Sequence, residues 1–162
     1  MDSTTHVDTP AMTIGELQDL SFAGARPTTH TSYPPERRLT PEQLEAYLDR
    51  RSYAVIGSAR PDGRPHASMS AFVRHGTTFW LPTMTKTVRA RNVAHQPWLT
   101  LVVPEAEDEQ HIAVLVEGPA TTLGLDETPT HILGSYGGDW VTAWIRVDAS
   151  RVLSYAAEDA AI

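Results

Sequence analysis

Short apolar runs with a two-residue period, each closed by turn chemistry, set the strongest limit on what this chain can fold into. Tyr53-Ala54-Val55-Ile56-Gly57-Ser58-Ala59 is followed by Pro61-Asp62-Gly63 and then by an extended stretch from His66 to Val73, the pattern of two strands joined by a tight turn. A second turn at Arg74-His75-Gly76 leads to Thr78-Phe79-Trp80-Leu81, so three strands follow one another as an antiparallel meander. Trp98–Val103 and His111–Leu123 read as two more strands, with Pro104-Glu105-Ala106-Glu107-Asp108-Glu109-Gln110 as a solvated acidic hairpin loop between them. Val141–Val147 and Arg151–Tyr155 are a final extended region. A βαβ alternation is absent, which argues against a parallel sheet. The expected architecture is mainly β, a barrel of about six strands with small peripheral helices.

Helical signals fall between these runs. Thr40 is placed to cap a helix, Pro41 fits its first position, and Gln43 falls where a capping box puts the reciprocal partner. Leu39 and Leu44 form a hydrophobic staple, and Leu44, Tyr47 and Leu48 give the buried face of a helix running to about Arg51. A second helix is expected from Thr85 to His95, stopped by Pro97, and a third from Asp126-Glu127-Thr128-Pro129 to the Gly137-Gly138 break. Residues 1–38 are rich in Thr, Pro, Ser and Asp and read as a flexible N-terminal arm, with Leu17, Leu20 and Phe22 able to lie across a partner subunit. Residues 39–162 then form one domain, consistent with a chain of 162 residues and 41% hydrophobic content.

Composition removes whole classes of function. Thirteen Lys+Arg against 20 Asp+Glu give a net charge of -7 and a pI near 5.4, a poor start for binding nucleic acid or an anionic membrane. With no cysteine, thiol nucleophiles, disulfides, iron–sulfur clusters and Cys-based zinc sites are excluded. Uninterrupted apolar runs such as Ile112–Val116 fall far short of the roughly 20 residues that cross a bilayer. The first eight residues carry Asp2 and Asp8 and no apolar stretch, so a cytoplasmic location is expected. Seven histidines show no i, i+4 pair and no carboxylate at ligand spacing, so no metal site is expected.

The segment from Thr83 to Asn92 concentrates chemistry. Lys86, Arg89 and Arg91 put three of the chain's 13 basic residues within six positions, directly after a strand and at the expected start of a helix. A helix N-terminus offers unpaired N–H groups and a positive dipole end, so Thr83, Thr85, Lys86 and Arg89 have the makings of a phosphate site. Lys86 and Arg89, three apart, are expected to share a helix face. No Walker A motif is present, and Gly134-Ser135-Tyr136-Gly137-Gly138 does not stand between a strand and a helix, which sets aside P-loop and Rossmann readings.

The order of a helix, the Tyr53–Ala59 strand, the Arg60-Pro61-Asp62-Gly63-Arg64-Pro65-His66 hairpin, a further strand, and then Arg89-Ala90-Arg91-Asn92-Val93 with Gln96-Pro97 resembles the pyridoxamine 5′-phosphate oxidase-like split-barrel family, with Val114, Glu117 and Gly118 as weaker support. The similarity runs from about Leu39 to Tyr155. It implies a six-stranded antiparallel split β-barrel of Greek-key type, homodimeric, with FMN or the deazaflavin F420 at the interface, and an oxidoreductase that moves a hydride to or from a small organic substrate. It further implies that Lys86 and Arg89 hold the cofactor phosphate with help from Thr83 and Thr85, in the segment that also carries Met84 and Asn92. By the same resemblance Ser68, Met69 and Ser70 run beside the ring, where backbone N–H groups stabilise charge on its reduced form. Relatives often carry a basic residue just before the position of Arg89, where Val88 stands here; Lys86 is the expected replacement. FMN is favoured over F420 because only one compact basic cluster is present, whereas the F420 tail calls for an extended basic groove. A carrier that binds a flavin or haem without turnover is the competing class. Trp140 and Trp144 are expected to close the site from the partner chain, and His66 and Tyr136 are the available proton donors.

Overall fold

The computed structural model describes residues 10–105 and 110–160. Its strands are β1 (Tyr53–Ala59), β2 (Pro65–Ala71), β3 (Val73–His75), β4 (Thr78–Thr83), β5 (Trp98–Pro104), β6 (Ile112–Gly124), β7 (Ala143–Asp148) and β8 (Arg151–Ala156). The helices are α1 (Ile14–Ala23), α2 (Pro27–Ser32), α3 (Pro41–Asp49), α4 (Val88–His95) and α5 (Thr130–Leu133). The described residues form eight strands where about six were expected, partly because the strand breaks at Phe72, whose N–H still donates to the Ser52 carbonyl at 2.9 Å and so extends the β1–β2 register by one step. The acidic loop expected between β5 and β6 lies largely outside the described residues.

All pairings are antiparallel, in the order β2-β1-β5-β6-β7-β4-β3, with β8 added on β6. The terminal strands of this order, β2 and β3, are separated in the chain only by Phe72. The sheet therefore curls back on itself without closing, and β2 lies beside β4 without pairing to it. β6 is the spine. Its first half pairs with β5 and β8 and its second half with β7, and Gly118 stands near the crossover. A Cβ on Gly118 would lie 2.1 Å from the Asp148 carbonyl oxygen, so only glycine lets the β7–β8 connection cross there.

Alternation decides which side chains go inside. Ile56, Leu81, Leu99, Leu101, Val114, Val116, Ile145 and Val147 fill the curl, and each buried side chain of that size contributes about 1.5–3 kcal/mol. A smaller cluster of Trp80, Trp144 and Ile132, flanked by Tyr136 and Val141, packs on the other side of β4 and β7. Turn glycines Gly63 and Gly76 adopt φ of 86° and 60°, the left-handed region that Pro61-Asp62-Gly63 and Arg74-His75-Gly76 predict. The Thr40–Gln43 capping box forms at 3.2 and 2.8 Å, and Leu39 and Leu44 are both buried.

Residues 14–32 depart from the loose arm expected of them. Thr13 and Glu16 form a second capping box, Ile14 and Leu17 are buried in the core that α3 and β8 share, and Phe22 is buried beside Tyr33 and under the Arg38 guanidinium. The Gln18 amide donates to the Leu39 carbonyl at 2.8 Å and Ser154 Oγ donates to Gln18 Oε1 at 2.5 Å, while the Leu39 N–H donates to Ser154 Oγ at 2.9 Å. The Val152 N–H donates to Ser21 Oγ at 2.9 Å. Leu20 alone of the three apolar arm residues stays exposed. Residues 1–9 lie outside the described residues.

Candidate functional site

The split between β2 and β4 is bridged by one side chain. Arg89, in the first turn of α4, donates from Nη1 to the Met69 carbonyl of β2 at 3.3 Å and from Nη2 to the Pro82 carbonyl of β4 at 3.1 Å. Its Nε is buried without a partner, and no carboxylate pairs with it among the described residues. Burial pulls its pKa below the ordinary arginine value. Thr87 caps α4, accepting the Ala90 N–H at 3.2 Å, and its hydroxyl meets that of Thr83, a fully buried residue, at 3.0 Å. A buried cation is normally paired or coordinated. This one is met by two carbonyl oxygens only, and with the N-terminus of α4 beside it and no carboxylate in contact among the described residues its charge is left without a counter-ion.

β2 supplies the other wall. Ser68 and Ser70 face inward, and Met69 outward with 60% of its surface exposed. The three expected ring-side residues therefore cannot all present side chains to one ligand. Ser70 donates to the neighbouring Ala71 carbonyl at 2.9 Å, and Ser68 Oγ is buried without a partner, as is His66 Nδ1 on the same face. Because the Met69 carbonyl reaches Arg89, it points to the open edge of β2; its N–H points the same way, as both groups of a residue do in an antiparallel strand. That edge offers backbone donors to a ligand lying along the split. Asn92 is buried and donates to Ser58 Oγ at 2.9 Å, locking α4 onto β1.

The structure corrects the geometry of the basic cluster. α4 begins at Val88, with Thr87 as its cap, three residues later than expected. Met84, Thr85 and Lys86 thus form an exposed turn before the helix, and Lys86 does not share a helix face with Arg89. Lys86 has no hydrogen-bond or ion-pair partner among the described residues. Trp140, 44% exposed, lies over Gly138 and edge-on to Tyr136. Its loop is tied to the site by the Thr142 N–H, which donates to the Thr83 carbonyl at 3.0 Å.

One hollow escaped sequence reasoning. A cavity of about 640 Å³ opens on the outward face of β1, β2 and β5, lined by Gly57, Ala59, Pro65, Ala67, Trp98 and Thr100 among others. Gly57 stands opposite Ala67, so two minimal side chains leave the space that Trp98 borders. A glycine inside a strand was the available signal. The same outward face continues through Val55, Met69 and Tyr53, the last 58% exposed, as an apolar band. Among the described residues no three His, Asp or Glu side chains converge where they could hold a metal, and no helix is long and apolar enough to cross a membrane.

Residues 40–160 match the family described as pyridoxamine 5′-phosphate oxidase. Among solved structures, a FAD-binding protein from Mesorhizobium loti superposes with a TM-score of 0.61 at 14% identity, covering 75% of this chain and 98% of that one. An F420 reductase gives 0.56 at 21% identity, covering 67% and 94%. The haem storage protein of Vibrio cholerae gives 0.55 at 16%, covering 71% and 93%. These likenesses establish the shared fold. No curated protein matches the sequence.

Proposed function

Since this chain belongs to the pyridoxamine 5′-phosphate oxidase family, we propose that it is a homodimeric FMN-dependent oxidoreductase acting on a small organic substrate. The observation that carries this is Arg89, a half-buried cation with a buried, unpartnered Nε, no acidic partner among the described residues and the Thr83–Thr87 hydroxyls on the adjoining turn. A phosphate fits that donor set. Arg89 and the Thr83–Thr87 pair would hold it, with Lys86 free to swing in from the exposed turn. Charge-assisted contacts of this kind contribute about 1.5–3 kcal/mol each.

FMN, when bound, supplies the hydride chemistry. The protein orients it. The free edge of β2 at Met69 offers backbone donors to the ring, and Arg89 fixes the spacing of β2 and β4 on which that edge depends. A second copy fits the apolar band of Tyr53, Val55, Met69 and Trp98, whose exposure on one molecule is otherwise unexplained. It would cover the 640 Å³ hollow and shut water out. FMN is preferred to F420 because Lys86, Arg89 and Arg91 form one compact basic group.

The test is a spectral titration of the purified protein with FMN, F420 and haem separately, repeated on Arg89→Ala. Stoichiometric FMN binding, weakened about 10- to 150-fold in the variant as loss of about 1.5–3 kcal/mol requires, supports the assignment. Selective F420 binding moves the protein to deazaflavin chemistry. FMN binding without turnover of NAD(P)H or any reduced donor makes it a carrier, and binding of none of the three removes the redox assignment.

A further inference from the structure

Three aromatic side chains run from the interior of the β4–β7 sheet to the surface. Trp144, 1% exposed, stands opposite Pro82 in the register, and the Pro82 carbonyl is one of the two that hold Arg89. Tyr136 meets Trp144 edge-on, with ring centroids 6.5 Å apart and planes at 89°. It meets Trp140 in the same way on its other side, at 6.0 Å and 81°. Tyr136 is half-buried and Trp140 is 44% exposed. Packing alone does not call for a phenol between two indoles. The cluster that buries Trp144 would be equally filled by Phe, and the Tyr136 hydroxyl makes no hydrogen bond among the described residues.

We propose that Tyr136 is a radical sink, drawing oxidising equivalents from Trp144 inside and from Trp140 at the surface. The chemistry balances as follows. A peroxyl radical takes an electron from an indole, which becomes a radical cation, and with a proton from water the peroxyl leaves as a hydroperoxide. Tyr136 returns one electron to that indole and releases its phenolic proton to water, leaving a neutral tyrosyl radical and an intact tryptophan. A soluble one-electron reductant, a thiolate or an enediol such as ascorbate, restores the phenol with one electron and a proton from water. The direction follows from the phenol: half-buried and bonded to no protein acceptor, it can shed its proton to solvent, which makes it easier to oxidise than a neighbouring indole. The use of such a sink, sparing the β4 strand beside Arg89 from oxidative damage, rests on the redox assignment above. The electron transfer does not.

Trp98 provides an internal control, since it is 46% exposed yet has no aromatic neighbour in ring contact among the described residues. The experiment is pulse radiolysis in azide solution of the full chain without added cofactor. The azidyl radical oxidises exposed indoles, and the indolyl and tyrosyl absorptions are followed in time. The expected result in wild type and W98F is conversion of indolyl to tyrosyl signal at a first-order rate independent of protein concentration. W140F should keep only the persistent Trp98 radical, and Y136F, a change of one hydroxyl, should lose the fast tyrosyl phase while keeping the indolyl yield. The inner leg is read in the W80F/W140F double variant, which leaves Trp144 and the persistent Trp98, with photoionisation at the red edge of the ultraviolet band, where indoles absorb and phenols do not; tyrosyl radical should still form rapidly. A fast tyrosyl phase surviving in Y136F, or none in wild type, overturns the proposal; none in the double variant overturns its inner half. These outcomes are independent of whether FMN binds, so failure here and failure of the cofactor assignment are separable.

Discussion

Replacing Ser154 by alanine tests whether α1 is part of the folded core. The Ser154 hydroxyl is fully buried; it accepts the Leu39 N–H at 2.9 Å and donates to Gln18 Oε1 at 2.5 Å. Alanine orphans both partners with no water to replace the hydroxyl. Each orphaned buried group costs about 1–3 kcal/mol, so a loss of about 2–5 kcal/mol is expected. For a chain of this size that lowers Tm by roughly 5–15 °C. The assay is urea unfolding at 25 °C followed by far-ultraviolet circular dichroism, where the midpoint should fall with an unchanged m value. A double-mutant cycle sharpens it. Gln18→Ala removes the amide that Ser154→Ala leaves unsatisfied, so the double variant should cost less than the two singles together, with a coupling of about 1–2 kcal/mol. A loss under about 1 kcal/mol for Ser154→Ala, or strict additivity, would refute the argument that α1, α3 and β8 are joined by this network.

Two further outcomes follow from the fold. Gly118→Ala should abolish cooperative unfolding or cost more than about 3 kcal/mol, since its Cβ would meet the backbone oxygen of Asp148 at 2.1 Å and neither strand can yield; near-ultraviolet circular dichroism reads it, and a Tm within a few degrees of wild type would contradict it. Tyr53→Asp places a charge in the middle of the exposed apolar band without touching the buried core, so light scattering should find a monomer of unchanged Tm, and a persistent dimer would remove that band from the interface.

The parts of this fold that local chemistry dictates could be read from the sequence. The Thr40–Gln43 box and the glycines at 63 and 76 each need only their own neighbours, and they stand where the pattern puts them. Thr13 and Glu16 carry the same capping signal as Thr40 and Gln43, set among Thr- and Pro-rich residues that mask the apolar positions 14, 17 and 22. The break at Phe72 leaves no mark, because an apolar residue there continues the strand pattern and its N–H still bonds to Ser52 in the β1–β2 register. The site divides along the same line. Arg89 was visible as a basic residue near a helix start, and the resemblance gave it a role. Its place across the split depends on carbonyls of Met69 and Pro82, which no side-chain pattern announces. Lys86 was placed on a helix because threonine at either 85 or 87 could have served as the cap.

The contacts of α1 set a schedule for folding. The first described helix of the chain packs against its last strand, with Gln18 bonded to Ser154 and Ser21 to Val152, sequence separations of 136 and 131 residues. Long-range closures of this kind come late, because the entropy of bringing distant segments together must be met before the contact returns anything. During synthesis Ile14, Leu17 and Phe22 leave the ribosome before β8 and wait, with their apolar face uncovered, until the residues between α1 and β8 have followed. A nascent chain of this protein therefore carries an uncovered apolar stripe from the emergence of α1 until β8 emerges to cover it.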